Sequence, residues 1–267
     1  MKLLKITDQE LPELDEYFEE VRSEELEQIA PEVRDKKSDV KIEGVSIEEF
    51  DSVYADIPPE NAIFGRVLLE IIEEKGVNLN YSSTSFFIMS KKNYLYHVLH
   101  EKSVPAPQTA VIADQKAARN LENHIKGPLV ARKFKGLVEA ERTKIEKVEG
   151  IHEFADGVDY GENILLFNEL RQGDKYRCLV AGDTVISLED TSEGWEIQKE
   201  DLTYSNIPND LEEVVLHAAE AIGTKTAEIV LRDGKVVDAN PNPDLEMYTK
   251  TSGKDAYKAV AEALKED

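Results

Sequence analysis

Long apolar runs are missing from this chain. None approaches the roughly 18–20 residues that a membrane-crossing helix needs. The most apolar patches, Ala62–Ile72 and Ser85–Met89, are short and interrupted. Cysteine is almost absent: the single Cys178 cannot form an internal disulfide, which fits a reducing compartment. The opening Met1–Thr7 runs into acidic sequence without a signal-peptide core, so a cytoplasmic location and no membrane partner are the expectation. Positive charge is scarce. Lys and Arg number 32 against 55 Asp and Glu, a net charge of −23. A field of that sign repels phosphate backbones and argues against a nucleic-acid partner. It fits either salt adaptation or a very soluble acidic protein. The common catalytic signatures are also lacking: no Walker loop, no Gly-x-Gly-x-x-Gly, no His-Glu-x-x-His, and five histidines scattered without metal spacing.

What remains is a chain of 267 residues with 41% hydrophobic content, enough for two small domains or for one core with an added lobe. Met1–Ile6 reads as a strand. Thr7 to Glu10 has the spacing of a capping box, with Leu11, Leu14, Phe18 and Val21 following at helical intervals. Val53–Asp56 and Val77–Leu79 read as strands around a helix from Glu60 to Lys75 that Gly76 stops. This βαβ-like rhythm over residues 1–80 predicts a small parallel-sheet domain. Two helical stretches follow over Ser82–Ser103. Strands are expected at Gln108–Ile112, Leu129–Phe134, Leu137–Thr143 and Asn163–Asn168, with helices from Asp114 to Lys126 and over Val148–Asp156. Two hairpins, Tyr176–Leu188 and Thr226–Ala239, flank a helix over Asp210–Ile222, and Asp255–Leu264 is a closing helix.

The last hairpin carries the clearest chemistry. Glu228, Asp238 and Asn240 offer three hard oxygen donors, the kind that suits Mg²⁺. Asp238 and Asn240 share one strand face. A three-residue loop Arg232–Gly234 places Glu228 opposite Asp238, whereas a two-residue Asp233-Gly234 turn puts Glu228 on the other face. A solvent-exposed polar hairpin is the bland alternative.

Val237–Leu245 resembles the carboxylate-x-Asn-x-x-Pro-Gly segment that closes the active site of ATP-grasp enzymes, with the RimK-like carboxylate–amine ligases the nearest branch. Ser90-Lys-Lys92 followed by Pro107 and Thr109, the Phe167–Leu170 hinge, and Gly173–Val185 resemble further family segments in order. The resemblance covers about residues 57–260. It implies an α/β (α+β) ATP-grasp fold: a pre-ATP domain (1–89), a central lobe (90–168) and a C-terminal lobe with the metal site (169–267). It implies ATP with Mg²⁺ or Mn²⁺ as cofactors. It further implies that Lys92 and one of Arg132 and Lys133 meet the phosphates. Glu169 and the Leu170 backbone would read the adenine, Asp174 the ribose, and Arg177 would work beside the phosphates with Arg132. Glu228, Asp238 and Asn240 would be the metal ligands. The implied reaction is an ADP-forming ligation of a carboxylate, small or peptide-borne, to an amine such as an amino acid, with a homo-oligomer left open.

Three departures stand against that pattern. The glycine-rich lid is clipped to Phe134–Leu137. Thr203–Pro208 keeps Ser205 and Asn206 but lacks the family's arginines there. Pro243-Asp244 replaces Pro-Gly. Nucleotide binding survives such losses more easily than phosphoryl transfer, so a degenerate protein that binds nucleotide and acts through a partner is the second expectation. The long segment Thr191–Pro208, with the chain's only tryptophan, Trp195, reads either as a substitute lid or as a fixed surface loop with Trp195 packed on its own lobe.

Overall fold

Three β-sheets of four or five strands, with two smaller two-stranded ones, organise the chain in the computed structural model, which describes all residues except 35–36, 122–124, 126, 137, 157, 161–162, 193, 196–200 and 267. Its elements in chain order begin with β1 (Lys2–Ile6), α1 (Pro12–Asp15), β2 (Glu20–Glu24), β3 (Glu32–Arg34), β4 (Lys37–Asp39), β5 (Lys41–Ile42), β6 (Val45–Ser46), β7 (Ser52–Ala55), α2 (Ala62–Glu74) and β8 (Asn78–Leu79). Next come α3 (Ser83–Ser90), α4 (Lys92–Glu101), β9 (Thr109–Ile112), α5 (Gln115–Arg119), β10 (Leu129–Lys135), β11 (Val138–Ile145), α6 (Val148–Asp156) and β12 (Asn163–Glu169). The last part holds β13 (Lys175–Ala181), β14 (Thr184–Asp190), β15 (Leu202–Tyr204), α7 (Asn209–Ile222), β16 (Thr226–Arg232), β17 (Lys235–Asn240), α8 (Leu245–Ser252) and α9 (Ala256–Lys265).

The first sheet, in order β2-β1-β7-β8, is parallel throughout, as the βαβ rhythm predicts. The second, β11-β10-β12-β9, and the third, β15-β14-β13-β16-β17, are antiparallel. Ile112, Leu121, Leu129, Ile145, Ile151, Leu165 and Phe167 give the helix-covered face of the central sheet a core of its own. The N-terminal sheet and C-terminal lobe instead share their cores, since Tyr248, Tyr257, Val260 and Leu264 pack with Leu3 and Tyr54. The Ser52 hydroxyl seals that junction by donating to the Leu264 carbonyl at 2.9 Å.

The N-terminus departs from expectation. The Thr7 hydroxyl does accept from the Gln9 N–H at 3.0 Å, but the helix starts only at Pro12, whose fixed φ suits a first helical position. It stops at Asp15, and Val21, expected on its apolar stripe, instead lies in β2 opposite Leu3 of β1. A β-branched residue flanked by charges fits a sheet edge better than a helix end. Asp114 caps α5 as expected, by accepting from the Lys116 N–H at 2.8 Å. The expected continuation to Lys126 falls partly outside the described residues. The helix α8 was not expected. Asp244 starts it by accepting the Met247 N–H at 2.9 Å, so the residue standing in place of the family's glycine serves as an N-cap.

Candidate active site

The hairpin β16–β17 presents its donors by a route neither expected loop provides. Its turn is the two-residue Asp233-Gly234, both with positive φ (49° and 69°), and that turn alone sends Glu228 to the wrong face. The register then shifts: Leu231 pairs with Val236 but Val230 pairs with Asp238, leaving Val237 as a bulge. One extra residue flips the pleat back. Glu228 therefore lies opposite Asn240, and Asp238 faces the same side, opposite Val230. The bulge is latched by α4, whose Tyr96 hydroxyl donates to the Val237 carbonyl. One turn earlier on the same helix face, Lys92 reaches the Ala239 carbonyl and lies 2.6 Å from an Asp238 oxygen.

These donors line a cleft of about 510 Å³ between the central and C-terminal sheets. Its wall holds six cationic side chains, Lys92, Arg132, Arg142, Arg171, Arg177 and Arg232, against three carboxylates, Glu169, Glu228 and Asp238. In a chain of net charge −23, that local reversal of sign marks a place for an anion. Arg177 grips Glu228 through Nε and Nη2 at 3.0 and 2.6 Å, and Tyr248 donates to the same carboxylate at 3.0 Å. Burial would raise the Asp238 carboxyl, but the charges of Lys92 and Arg132 overcome it and hold Asp238 below the usual carboxylate range. Arg132 is 6% exposed, and its Nε and Nη1 have no hydrogen-bond partner among the described residues; Glu139 and Asp238 stand off at 3.7 and 3.9 Å. A guanidinium buried with free donors is costly unless an anion completes it.

Pleat alternation decides between the two basic candidates on β10. Arg132 faces the cleft, and Lys133, one residue on, is not among the lining residues. Glu169 lines the cleft, held by Arg171 at 2.8 Å. Burial works against its ionised form, but Arg171 and Lys235 bring its carboxyl below the ordinary value. The Leu170 N–H is already committed to the Pro128 carbonyl at 2.8 Å, so that amide is not a free donor for a base edge. Asp174 is exposed and outside the lining of this cleft, and its carbonyl accepts the Asp233 N–H at 2.9 Å at the end of the neighbouring hairpin.

The clipped hairpin turns after Lys135, which ends β10 opposite Val138; Gly136 has φ of 61°, and Leu137 lies outside the described residues. Within Thr191–Pro208, residues 193 and 196–200 also lie outside them. Trp195 lines the cleft, its carbonyl accepting from Arg232. Ser205 and Asn206 do not line it: the Ser205 carbonyl accepts from the Ser187 hydroxyl, and Asn206 accepts from Tyr204 at 2.6 Å.

Tyr96, Arg142, Arg171 and Arg232 were missed by the sequence reading. Helical spacing from Lys92 points to Tyr96, and strand alternation from Glu228 points to Arg232. Arg142 lies directly across from Arg132 in the β10–β11 register, so a hairpin register drawn from the turn would have found it.

The donor set fits Mg²⁺, since Glu228, Asp238 and Asn240 place hard oxygens on one face of adjacent strands. Among the described residues no group of three or more His, Cys, Asp or Glu side chains is arranged for a metal; Asn240 is the further oxygen donor beside Glu228 and Asp238 in the cleft lining. No helix among the described residues is long and apolar enough to cross a membrane.

No protein-family model matches the chain. It is 23% identical over 225 residues to a probable alpha-L-glutamate ligase of Haemophilus influenzae, spanning 78% of this chain and 74% of that protein. The ATP-grasp ligase PsnB, solved with minimal precursor, Mg and ADP, superposes with a TM-score of 0.72 at 16% identity, covering 98% of this chain and 96% of that one. A RimK domain protein ATP-grasp from Sphaerobacter thermophilus gives 0.69 at 19% identity, covering 99% of each chain. The parallel N-terminal sheet, the two antiparallel sheets and the cleft between them accordingly make up the ATP-grasp fold.

Proposed function

We propose that this chain is an ATP- and Mg²⁺-dependent ligase that joins a carboxylate to an amine through an acyl phosphate. The observation that carries the reading is the cleft itself: three convergent oxygen donors set among six cations in a strongly acidic chain. The glutamate ligase and PsnB relatives support it, one by its named reaction and one by its bound Mg and ADP.

In this reading the chain divides into an N-terminal domain (1–89), a central lobe (90–168) and a C-terminal lobe (169–267). Val130, Leu170, Val230 and Val237 give the cleft an apolar stretch suited to a base, with Glu169 at its edge. Glu228, Asp238 and Asn240 hold Mg²⁺, which when bound neutralises phosphate oxygens and polarises the transferring group. Lys92, Arg132 and Arg177 balance the charge that develops as the substrate carboxylate takes the γ-phosphoryl group and ADP leaves. Lys92 and Arg177 are now paired with Asp238 and Glu228, so binding a metal and an anion together exchanges those partners instead of stripping them. The amine then attacks the acyl carbon, phosphate departs, and the nitrogen releases its proton.

A second reading rests on Thr203–Pro208, which contributes no side chain to the cleft. A protein without arginines there could hold nucleotide and act through a partner. Measuring ADP and phosphate release from ATP against pooled carboxylates and amines separates the two. ADP formed in step with an amide product is the expected result. Mg-ATP bound in calorimetry without turnover in any pool would transfer the case to the binding protein, and absent Mg-ATP binding would end both.

A further inference from the structure

The hairpin β10–β11 treats its two faces differently. Away from the cleft, Lys133 lies opposite Glu141, an ordinary pair of opposite charges. On the cleft face Arg132 lies opposite Arg142, and like charges directly across a ladder are destabilising. The ladder then shifts. Lys133 pairs with Glu141 but Phe134 pairs with Glu139, leaving Ala140 as a bulge. The extra residue flips the pleat, so Glu139 joins the two arginines on their face instead of pointing away. The same device sets the oxygen donors of β16–β17 on the opposite wall of the cleft.

One carboxylate does not satisfy two guanidiniums. Arg142 donates to Glu139 through Nε at 2.6 Å, which leaves Arg132 Nη1 at 3.7 Å from the same carboxylate. The Asp238 carboxylate, 3.9 Å from Arg132, already holds Lys92 at 2.6 Å. Both arginines line the cleft, whereas Glu139 stands outside the lining. The level along the sheet indicates which part of a nucleotide meets them. Glu169, at the base end, lies opposite Leu129, three residues or roughly 10 Å along β10 from Arg132. Asp238 marks the metal end. Burial raises its carboxyl, and the charge of Arg142 adds to those of Lys92 and Arg132 in overcoming that effect. Thr203–Pro208 gives the cleft no side chain, so the positive charge at this end comes from β10–β11 and α4.

We propose that Arg142 is a further catalytic residue: with Arg132 it clamps the terminal phosphate of a bound nucleoside triphosphate, and Glu139 is the resting counterion that the phosphate displaces. The inference rests on the ligase reading and names the cation that meets the group to be transferred. Two guanidinium forks facing each other suit a phosphate, which accepts paired N–H donors from each. Arg132 is buried and fixed, but the Arg142 side chain is 39% exposed and sits on β11, an edge strand, so it has room to swing. The exchange keeps Arg142 paired throughout, and Glu139, itself partly exposed, passes to water.

Calorimetry with Mg-ADP and with Mg-AMPPNP, a non-hydrolysable ATP analogue, tests this, because the two differ by the terminal phosphate. Arg142→Gln should weaken Mg-AMPPNP about tenfold or more and leave Mg-ADP within about twofold. Arg142→Lys keeps the charge but not the fork, and should recover only part of the loss. Glu139→Gln removes the competing counterion, so Mg-AMPPNP should bind as tightly as before or more tightly. Weaker binding there would make Glu139 a structural support and overturn the exchange. Equal losses for the two nucleotides in Arg142→Gln, or no loss, overturn the inference and leave the nucleotide reading standing. An unmodified chain that binds neither nucleotide ends both. Selective, Arg142-dependent binding of Mg-AMPPNP by a chain without turnover in any substrate pool would instead uphold the clamp and sink the ligase reading.

Discussion

Replacing Arg177 with methionine is the most informative single perturbation of the cleft. Glu228 is 2% exposed and receives two contacts from that guanidinium, at 3.0 and 2.6 Å, and one from Tyr248 at 3.0 Å. After Arg177→Met a buried carboxylate keeps one neutral donor. Leaving a buried charge without its partner costs about 3–5 kcal/mol. At about 2–4 °C per kcal/mol for a chain of this size, the melting temperature should fall by about 6–20 °C. Adding Glu228→Leu removes the stranded charge, and replacing both members of such a pair by apolar groups is often close to neutral. The double variant should therefore recover most of the loss, a coupling that thermal melts of both single variants and the double variant in EDTA would measure. Magnesium alone should stabilise Arg177→Met more than the parent chain, because the released carboxylate is the proposed metal ligand. Additive losses in the double variant, or an Arg177→Met melt within about 2 °C of the parent, would refute the reasoning.

The metal assignment predicts that Asp238→Ala with Asn240→Ala keeps the fold, since both side chains are only partly buried, but loses Mg-ATP binding in calorimetry. Unchanged affinity would remove the assignment. Asp238 is held below its ordinary value, so its stabilisation is complete above the usual carboxylate range, near pH 4, and is lost as pH falls through the folded value. Asp238→Asn should make the acid limb of a stability–pH curve shallower, and an identical limb would contradict the pairing with Lys92. Cys178 is fully buried and burial pushes its thiol up, so a thiol reagent should react only on unfolding; rapid labelling of the native chain would show the packing wrong. Trp195 lines the cleft, so its fluorescence should change on adding Mg-ATP, and a silent tryptophan in a chain shown to bind would place the nucleotide elsewhere.

Much of the fold was legible because long amphipathic stretches and turn residues agree with their neighbours. The helix α7 ends on Gly223 at φ of 78°, where only a glycine sits without strain. The failures share a cause: each depended on a partner distant in sequence. The short helix α1 yields to the pairing of β2 with β1, which the residues between them do not reveal. The hairpin β16–β17 was read with the wrong register, because both candidate loops assumed an unbroken ladder. The bulge at Val237 is held by Tyr96 from α4, and no local pattern announces a latch so far away in the chain. Arg132 against Lys133 is the same problem in small form. Alternation says that the two side chains part, but only the packed sheet says which face meets the cleft.

The charge pattern links the cleft to the solution behaviour of the chain. An ATP molecule approaching a body of charge −23 is repelled at long range and attracted only near the six cations of the cleft. Salt weakens both effects, but not equally. The diffuse repulsion acts between exposed charges over distances beyond the screening length of about 10 Å at 0.1 M, whereas the attraction would come from side chains such as Arg132 that are mostly buried and line the cleft. Moderate salt therefore removes the barrier before it removes the attraction. A basic nucleotide-binding protein loses association rate steadily as salt rises, because its long-range field helps. Here the long-range field hinders and the local one helps, so the association rate for Mg-ATP should first climb with salt and then fall. The acidic surface and the cationic cleft thus favour a salt-rich medium together, and neither feature alone requires it.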